Sequence, residues 1–550
     1  MESACLGVSF LGNCSYDPSS PTFTYFSLGE LVSAITLLLA FIQLARTKTK
    51  FRLAAKNLPN KYTYSIIISS IISVFIATLL PIIPGAPLPL LGYPIFWEVA
   101  TAVMVITLSA YMLKNSLEKS VFGKSNSASY LQACEEIIAK GKKEELQELA
   151  EEITTSVKQV FNLAANEIKE QPTKNNTISK SYNANTLLDL WSDKQFCSAI
   201  VTRSPSATRE IFSSAQLHHQ YLVGYNLLHQ LTYLLFFNQD SFLNREPDKE
   251  ILSNRRRLSE LIFENIDFLE SDYNLLSPIR ISSESLLPSQ LAKLFDCVQI
   301  SYKAYFKRQQ YDQNCYFLKT ITEELGELAF SPIYQSEKLS EQDFYHSREF
   351  EFLGIIQSGF ANLVDLINKQ EGLPTSEFNE VTYDRHKDNS PYGWIAYGIY
   401  KYFCHLLWYT GRDEANRMLA IDIWCHVYGT DSSEISKAQG EVGKRLIFHL
   451  KQNINSNFDT HCPGYPAITR LLISLLGICE EPVKNGHLGS EFKHYFLQRL
   501  KTEFLTLYKT HPEVAEKLLP HRVECHPQNK LLFLKKKWPG EKDIELILSD

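Results

Sequence analysis

Three long apolar stretches lie within residues 28–113, and they constrain the fold more than any other feature of the sequence. They cover about residues 28–45, 64–83 and 93–113. A helix rises about 1.5 Å per residue, so roughly 20 residues cross a hydrocarbon core about 30 Å thick. A buried helical core is the alternative, but it does not explain the basic residues that flank the stretches. We therefore predict three transmembrane helices here.

Basic residues are concentrated in the connection between the first two stretches. They are Arg46, Lys48, Lys50, Arg52, Lys56 and Lys61. Short basic connections remain in the cytoplasm, whereas the next connection, around residues 84–89, has no charge. The third stretch is followed by Lys114, Lys119 and Lys124. This charge distribution predicts an N-terminus outside and a C-terminus in the cytoplasm.

Residues 1–27 contain neither Lys nor Arg, which a secretory signal peptide would carry at its start. We expect this segment to be a short outside tail that is not cleaved. Cys5 and Cys14 either pair there as a disulfide or stay free thiols, and the sequence leaves both open. The short tail and compact spans favour an integral protein of a bacterial inner membrane.

Small residues recur at helical spacing in the second stretch. They are Ser65, Ser69, Ser73 and Ala77. Small residues let membrane helices approach closely, within one chain or between subunits, so we expect the lipid bilayer and a second copy as partners. None of the stretches has an ionisable residue at its middle, which disfavours an ion or proton transporter. A pore formed by several copies remains compatible.

Beyond residue 113 the pattern becomes that of soluble amphipathic helices. It predicts a helical stalk at 114–170, a polar linker at 171–185, and two parts of a helical domain at 186–371 and 391–550, with a polar break at 372–390 between them. Short strands are favoured at Leu531–Leu534 and Ile544–Leu548. The predicted fold class is all-α, a three-helix transmembrane bundle followed by a large multi-helical cytoplasmic domain.

Charge, cysteines and missing motifs narrow the function of this domain. The net charge of −6 gives no general basic field, so general nucleic-acid binding is not expected. The 11 cysteines are scattered over 550 residues, as is typical of reduced thiols in a cytosolic domain. A phosphate-binding loop, a Rossmann fingerprint and a GxSxG motif are absent from the sequence, so no cofactor is predicted.

One acidic and basic cluster could support catalysis. Its members are Asp240, Glu246, Asp248, Arg255, Arg256 and Arg257. Carboxylates near a helix end can bind a divalent cation and the arginines a phosphate, as in a metal-dependent phosphodiesterase or nuclease. The alternative is a helix end followed by a helix start, in which acids complement the helix dipole and the arginines form surface pairs.

A second candidate is a metal site near the C-terminus, formed by His521, Cys525 and His526. Zinc sites usually contain two pairs of ligands that are each two to five residues apart. Only one such pair is present here, so surface histidines are the alternative.

The favoured hypothesis is a membrane-anchored helical interaction or signalling protein whose cytoplasmic domain binds a protein partner. Two rival hypotheses belong to other classes. One is a membrane-tethered metal-dependent hydrolase that uses the cluster between Asp240 and Arg257. The other is an oligomeric effector that permeabilises the membrane, for example in anti-phage defence.

Overall fold

The computed structural model describes residues 28–44, 46–56, 60–79, 94–169, 178–218, 223–247, 256–271, 275–276, 286–308, 315–336, 339–370, 373, 378–406, 413–428, 436–458, 467–476, 487–520, 522–534 and 544–548. The chain divides into two compact units, Met1–Gln230 and Leu231–Asp550. Each unit is described by itself below.

The first unit is built from helices. They are α1 (Leu28–Leu44), α2 (Thr47–Ala55), α3 (Asn60–Leu79), α4 (Pro94–Leu117), α5 (Ser127–Lys140), α6 (Lys143–Glu152), α7 (Val157–Lys169), α8 (Ile178–Trp191), α9 (Lys194–Arg203), α10 (Pro205–His218) and α11 (Tyr225–Phe237). A short 3-10 turn, Ile153–Thr155, connects α6 to α7, and α11 runs across the boundary between the units.

In its described residues, the second unit combines helices with one small sheet. Its helices are α12 (Leu258–Phe263), α13 (Ile266–Ser271), α14 (Pro288–Lys307), α15 (Tyr316–Glu327), α16 (Phe330–Gln335), α17 (Glu341–Tyr345), α18 (Arg348–Asn368), α19 (Pro391–Leu406), α20 (Asp413–Tyr428), α21 (Lys437–Asn457), α22 (Ala467–Leu476), α23 (His487–Thr510) and α24 (Pro512–Leu518). Its strands are β1 (Val523–His526), β2 (Leu531–Leu534) and β3 (Ile544–Ile547).

Two of the described helices are long and apolar enough to cross a membrane, by length and composition. They are Ile95–Leu117 in α4 and Arg348–Asn368 in α18. Only 17% of the apolar window of α4 is buried, whereas 56% of that of α18 is buried, as in the core of a soluble protein. In α3 a shorter apolar segment, Ser65–Leu79, is described. The helical fold is thus confirmed, while the three-span bundle is not confirmed and stays a prediction.

The helices that follow α4 pack into a compact layer. Tyr130 of α5 is buried, and its ring packs edge-on against Phe51 of α2 and Phe122, with ring centroids 5.1 Å and 5.4 Å away. α6 packs on α9, and α7 packs on α8 and α10. The segment predicted as a stalk is therefore part of this packed unit. Residues 178–185 of the predicted linker belong to α8, and Asn183 donates a 3.1 Å hydrogen bond to Ser127 of α5.

The core of the second unit contains a close crossing of α15 and α19. A Cβ atom built on Gly326 would lie 2.3 Å from the carbonyl oxygen of Gly398, and one on Gly398 would lie 2.7 Å from that of Thr322. Because real Cβ atoms do not approach backbone so closely, both positions require glycine. The predicted polar break ends in a segment, 378–390, that packs onto α19 and α21 by the charged contacts described below.

The sheet has the antiparallel order β1–β2–β3. Its register pairs Leu532 of β2 with Cys525 of β1 and Leu546 of β3. These positions share the inward face, on which Leu532 and Leu546 are buried. Two of the three strands coincide with the predicted strand segments, and β1 was not predicted.

Candidate functional site

Helix α2 lies at the junction between the apolar helices and the soluble helices of the first unit. Phe51, Leu53 and Ala55 are buried, and α2 packs against α4, α5 and α6. Its sequence, TKTKFRLAA, places these apolar residues among basic ones, so the helix has both a packed side and charged sides. This junction contains most of the basic residues predicted to set the orientation of the chain.

Arg52 connects the end of α4 to α6. Its guanidinium donates two hydrogen bonds to the carboxylate of Glu152, Nε to Oε2 at 2.8 Å and Nη2 to Oε1 at 2.6 Å. Nη1 donates to the backbone carbonyl oxygens of Ser116 and Leu117 at 3.0 Å and 2.7 Å. The last carbonyl groups of a helix lack partners within the helix, so Arg52 caps the C-terminus of α4.

The electrostatic environment of Arg52 keeps it charged. The side chain of Arg52 is 15% exposed and that of Glu152 is 2% exposed. The hydrogen bond to Glu152 raises the pKa of Arg52 above its ordinary value, and this effect exceeds the lowering by burial. A two-pronged arginine–carboxylate pair is strong and fixes geometry, because both groups are planar and the two bonds are parallel.

Two lysines of the same connection add contacts beside Arg52. Lys48 pairs with Glu151 through its side chain, and its backbone amide donates to Glu148 at 3.1 Å. Lys56 donates to the carbonyl oxygen of Asn115 at 3.1 Å. The arrangement therefore attaches the last turn of α4 to α6 through α2.

The remaining basic residues of the connection differ from these three. Arg46 and Lys50 are exposed, and no hydrogen bond or ion pair of their side chains is present in the described part of the chain. The side chain of Lys61 lies outside the described residues, although its backbone belongs to α3.

The four small residues predicted to form a packing stripe on α3 differ in burial. Ser73 and Ala77 are buried, Ser69 is half-buried, and Ser65 is exposed. α3 packs against α4, and the neighbouring Ser70 contacts Met104 of α4 with Oγ and Sδ 3.7 Å apart. The buried half of the stripe thus packs within the chain.

The two described acids of the predicted catalytic cluster, Asp240 and Glu246, lie in different surroundings. Asp240 is exposed, whereas the Glu246 carboxylate accepts hydrogen bonds from the backbone amides of Leu258 and Ser259 at the start of α12. Lys293 of α14 lies 4.0 Å from Glu246. These contacts are those of a helix cap, which was the alternative reading of this segment. Asp248 lies outside the described residues.

The arginines of this cluster face other acids. Arg257 pairs with Glu260 at 2.8 Å, and Arg256 lies 3.9 Å from Glu264. Arg255 lies outside the described residues. Within the described ranges no group of three or more His, Cys, Asp and Glu side chains is close enough to hold a metal ion. The hydrolase therefore stays a hypothesis that draws no geometric support from these residues.

The residues of the predicted C-terminal metal site do not lie on one face of the sheet. Cys525 and His526 are consecutive residues of β1, and consecutive side chains of a strand point to opposite faces. The imidazole of His526 is exposed and packs edge-on against Phe533, with ring centroids 5.9 Å apart. His521 lies outside the described residues. The two described side chains are thus not placed to share one ion.

Sequence reasoning missed a buried charge network in the second unit. Arg445 of α21 is 2% exposed and donates to Asp388 at 2.8 Å and to Glu441 at 2.6 Å. Burial raises the pKa of Asp388, but the Arg445 charge and the hydrogen bonds from Ser390 outweigh it and lower the pKa overall. The only sequence signal was the charged run 384–388, which does not reveal a partner nearly sixty positions away.

An aromatic cluster adjoins this network. The guanidinium of Arg385 lies 3.2 Å above the centre of the Tyr397 ring, and it donates to Glu323 at 3.1 Å. His449 is buried, and its ring packs against Tyr397 and Tyr400 at centroid distances of 5.2 Å and 5.3 Å. Burial, followed by the nearby Arg385 charge, lowers the pKa of His449 to about 4. The imidazole is therefore neutral near pH 7.

Charged side chains also connect α15 to α19. Glu327 of α15 accepts a hydrogen bond from His405 at 2.7 Å and pairs with Lys401 at 2.6 Å, both on α19. The His405 contact, with that of Lys401, lowers the pKa of Glu327 to about 2. These groups join α15 to α19 beside the glycine crossing.

An open surface cavity of about 570 Å³ lies along α23, where Ser490, Glu491, His494, Tyr495 and Gln498 line it. These residues form one face of a single helix and do not converge on a common point. Comparison of the chain with family models, with curated proteins and with solved structures finds no match in any of the three.

Proposed function

We propose that the chain is a membrane-anchored helical interaction protein. In this proposal α1, α3 and α4 cross the bilayer as a three-helix bundle, with the N-terminus outside. The soluble helices lie in the cytoplasm and bind a protein partner there, as a signalling or scaffolding protein does. A bacterial inner membrane is the proposed location.

The exposed apolar surface of α4 is the observation that carries this proposal. Val99, Val103 and Ile106 are 54%, 56% and 67% exposed. A soluble protein rarely leaves so many large apolar side chains together in water, whereas lipid chains would cover them. The contrast with α18 supports this reading, because α18 has similar length and composition but buries most of its apolar window.

The position of the charges also supports the proposal. The last turn of α4 contains Lys114, and Arg52 of α2 and the adjoining Lys56 bind the last carbonyl groups of α4. Cationic side chains at the end of a span are typical of its cytoplasmic side.

A pair of reporter fusions tests the orientation. A reporter that is active only outside the membrane and one that is active only in the cytoplasm would each be fused after Asn126. We expect activity from the cytoplasmic reporter alone. Activity from the outside reporter would contradict the proposed topology.

Site-specific photo-crosslinking in cells tests partner binding. A photoreactive residue would replace the exposed residues Tyr334 or Met418 of the soluble helices, or the buried Ile395 as a matched control. We expect a discrete heavier adduct from at least one exposed position and none from the control. The absence of adducts from both exposed positions would contradict a partner-binding role for these surfaces.

A further inference from the structure

We propose that the exposed face of α2 binds the headgroups of anionic phospholipids, with Arg46 and Lys50 as the contacting residues. This inference rests on the proposed function, since it requires that α4 spans the bilayer. It goes beyond that function because it names a lipid class and two residues that select it.

The basic residues of α2 are divided between two sides of the helix. Residues four positions apart share a helix face, and residues two apart lie on nearly opposite faces. Lys48 and Arg52 therefore form one basic side, and they pair with acids of α6. Lys50 lies on the other side, which is exposed, and Arg46, the residue just before α2, is exposed as well.

Packing determines where the exposed side points. The ring of Phe51 contacts α5, the cations Lys48 and Arg52 face α6, and Arg52 also reaches the end of α4. Soluble helices thus cover the other sides of α2. Lys50 consequently faces away from the soluble helices, and Arg46 adjoins this exposed side at the start of α2.

In the proposed topology, α2 lies at the depth of the lipid headgroups. Ile95–Leu117 has 23 residues, which corresponds to about 34 Å of helix and slightly exceeds the thickness of a hydrocarbon core. α2 is hydrogen-bonded to the carbonyl oxygens of Asn115, Ser116 and Leu117, the last turn of that helix. Lysine and arginine at this depth extend towards the interface, where phosphate groups lie.

Three nearby acids are already paired with other cations. Glu151 and Glu152 pair with Lys48 and Arg52, and Glu118 lies 3.5 Å from Lys56. The positive charge of Arg46 and Lys50 is therefore not neutralised by these acids. Such cations attract anionic lipids over a distance of about one Debye length.

Lipid binding to the purified full-length chain in neutral detergent tests this inference. Native mass spectrometry would measure the affinity for phosphatidylglycerol and for phosphatidylcholine, with inorganic phosphate as a competitor. We expect phosphatidylglycerol to bind more tightly. The double substitution Arg46→Gln with Lys50→Gln should weaken phosphatidylglycerol binding about 30-fold, by the usual contribution of two basic residues at an interface, and leave phosphatidylcholine binding unchanged.

The matched control removes the same charge elsewhere at the same end of α4. It is Lys119→Gln with Lys124→Gln, at two exposed positions outside α2. An equal loss in this control, or unchanged binding in the α2 variant, would overturn the inference, as would displacement of the lipid by millimolar inorganic phosphate. If the chain is absent from washed membranes, the proposed function itself fails. If it is present there but the α2 variant binds normally, only this inference fails.

Discussion

At the residue scale, Arg52 is the side chain on which the junction most depends. Its removal leaves the Glu152 carboxylate buried without its partner and the end of α4 without its cap. Breaking a buried pair on one side costs about 3 kcal/mol. We expect Arg52→Ala to lower the free energy of unfolding by about that amount and to speed hydrogen exchange at the last amides of α4.

The matched control for Arg52 is Lys50→Ala on the same helix, which removes an exposed cation and should change stability little. A double-mutant cycle with Glu152→Ala isolates the pair. If Arg52→Ala and Glu152→Ala prove additive, the two side chains do not stabilise each other and the proposed junction is wrong.

His449 gives the second residue-scale prediction, a pH dependence of stability. Its pKa of about 4 in the folded chain is below the ordinary value of 6.5, so the unfolded chain takes up the proton first as pH falls. Stability is therefore full above pH 6.5 and declines by up to about 3 kcal/mol as the pH falls towards 4.

Arg385 and Asp388 are the charged groups that influence His449, and carboxylates such as Glu327 add their own losses at lower pH. The difference between the wild-type chain and His449→Phe isolates the histidine. We expect the midpoint temperature of the variant to fall less between pH 6.5 and 4, whereas His526→Phe on the exposed face of β1 should follow the wild type. Parallel curves for the wild type and His449→Phe would refute the assignment.

Single residues also show what one sequence can and cannot reveal. The cations after α1 were predictable as a group, because charge at the end of an apolar stretch has a general meaning. The sequence could not show which of these cations are paired and which are exposed, because Glu152, the partner of Arg52, is 100 positions away. The same limit applies to Glu246, whose role as a cap depends on a helix that starts 12 positions later.

At the scale of elements, the crossing of α15 and α19 depends on glycine. We expect Gly398→Ala to destabilise the second unit by about 2 kcal/mol or more, because the new Cβ would collide with the backbone at Thr322 and with Phe360. Thermal or chemical unfolding measures the effect.

Gly354→Ala in α18 is the control for this crossing, because a Cβ there meets no atom within 4 Å. Alanine is the better helix former, so this variant should be as stable as the wild type or slightly more stable. Equal effects of the two substitutions would mean that helix propensity, rather than close packing, determines the result.

Periodicity predicted helices for the soluble part and two short strands, and the expected strand Leu531–Leu534 is β2. The apolar pattern at helical spacing continues from residue 206 to 238, but α10 ends at His218 and α11 begins at Tyr225, directly after Gly224 at a φ of 75°. A glycine in the left-handed region does not fit inside an α-helix, whatever the apolar pattern around it. The strand β1 was missed because its polar residues show no clear alternation.

At the scale of the whole molecule, the polar segments did not mark the division of the chain. The predicted linker and polar break lie at 171–185 and 372–390, whereas the chain divides into its two compact units after Gln230. Composition shows that a segment is polar, but it does not show whether its polar side chains have hydrogen-bond partners elsewhere in the chain. Asn183 is hydrogen-bonded to a neighbouring helix, and Asp388 is held by Arg445, so polar residues in both segments belong to packed structure.

The structure supports the predicted three-helix membrane anchor only in part. All three apolar stretches are helical, but α4 alone among them passes the test of length and composition in the described residues. Burial therefore supplies the stronger argument. Among the described residues, α18 buries 56% of its apolar window, whereas α4 buries only 17% of its window.

Alkaline extraction of membranes that contain the full-length chain tests the central claim most directly. High pH releases proteins that are held at a membrane by charge, whereas proteins whose apolar helices cross the hydrocarbon core remain. We predict that the chain stays in the membrane pellet after extraction at high pH and is released only by detergent. Recovery of the intact chain in the alkaline supernatant would contradict the account.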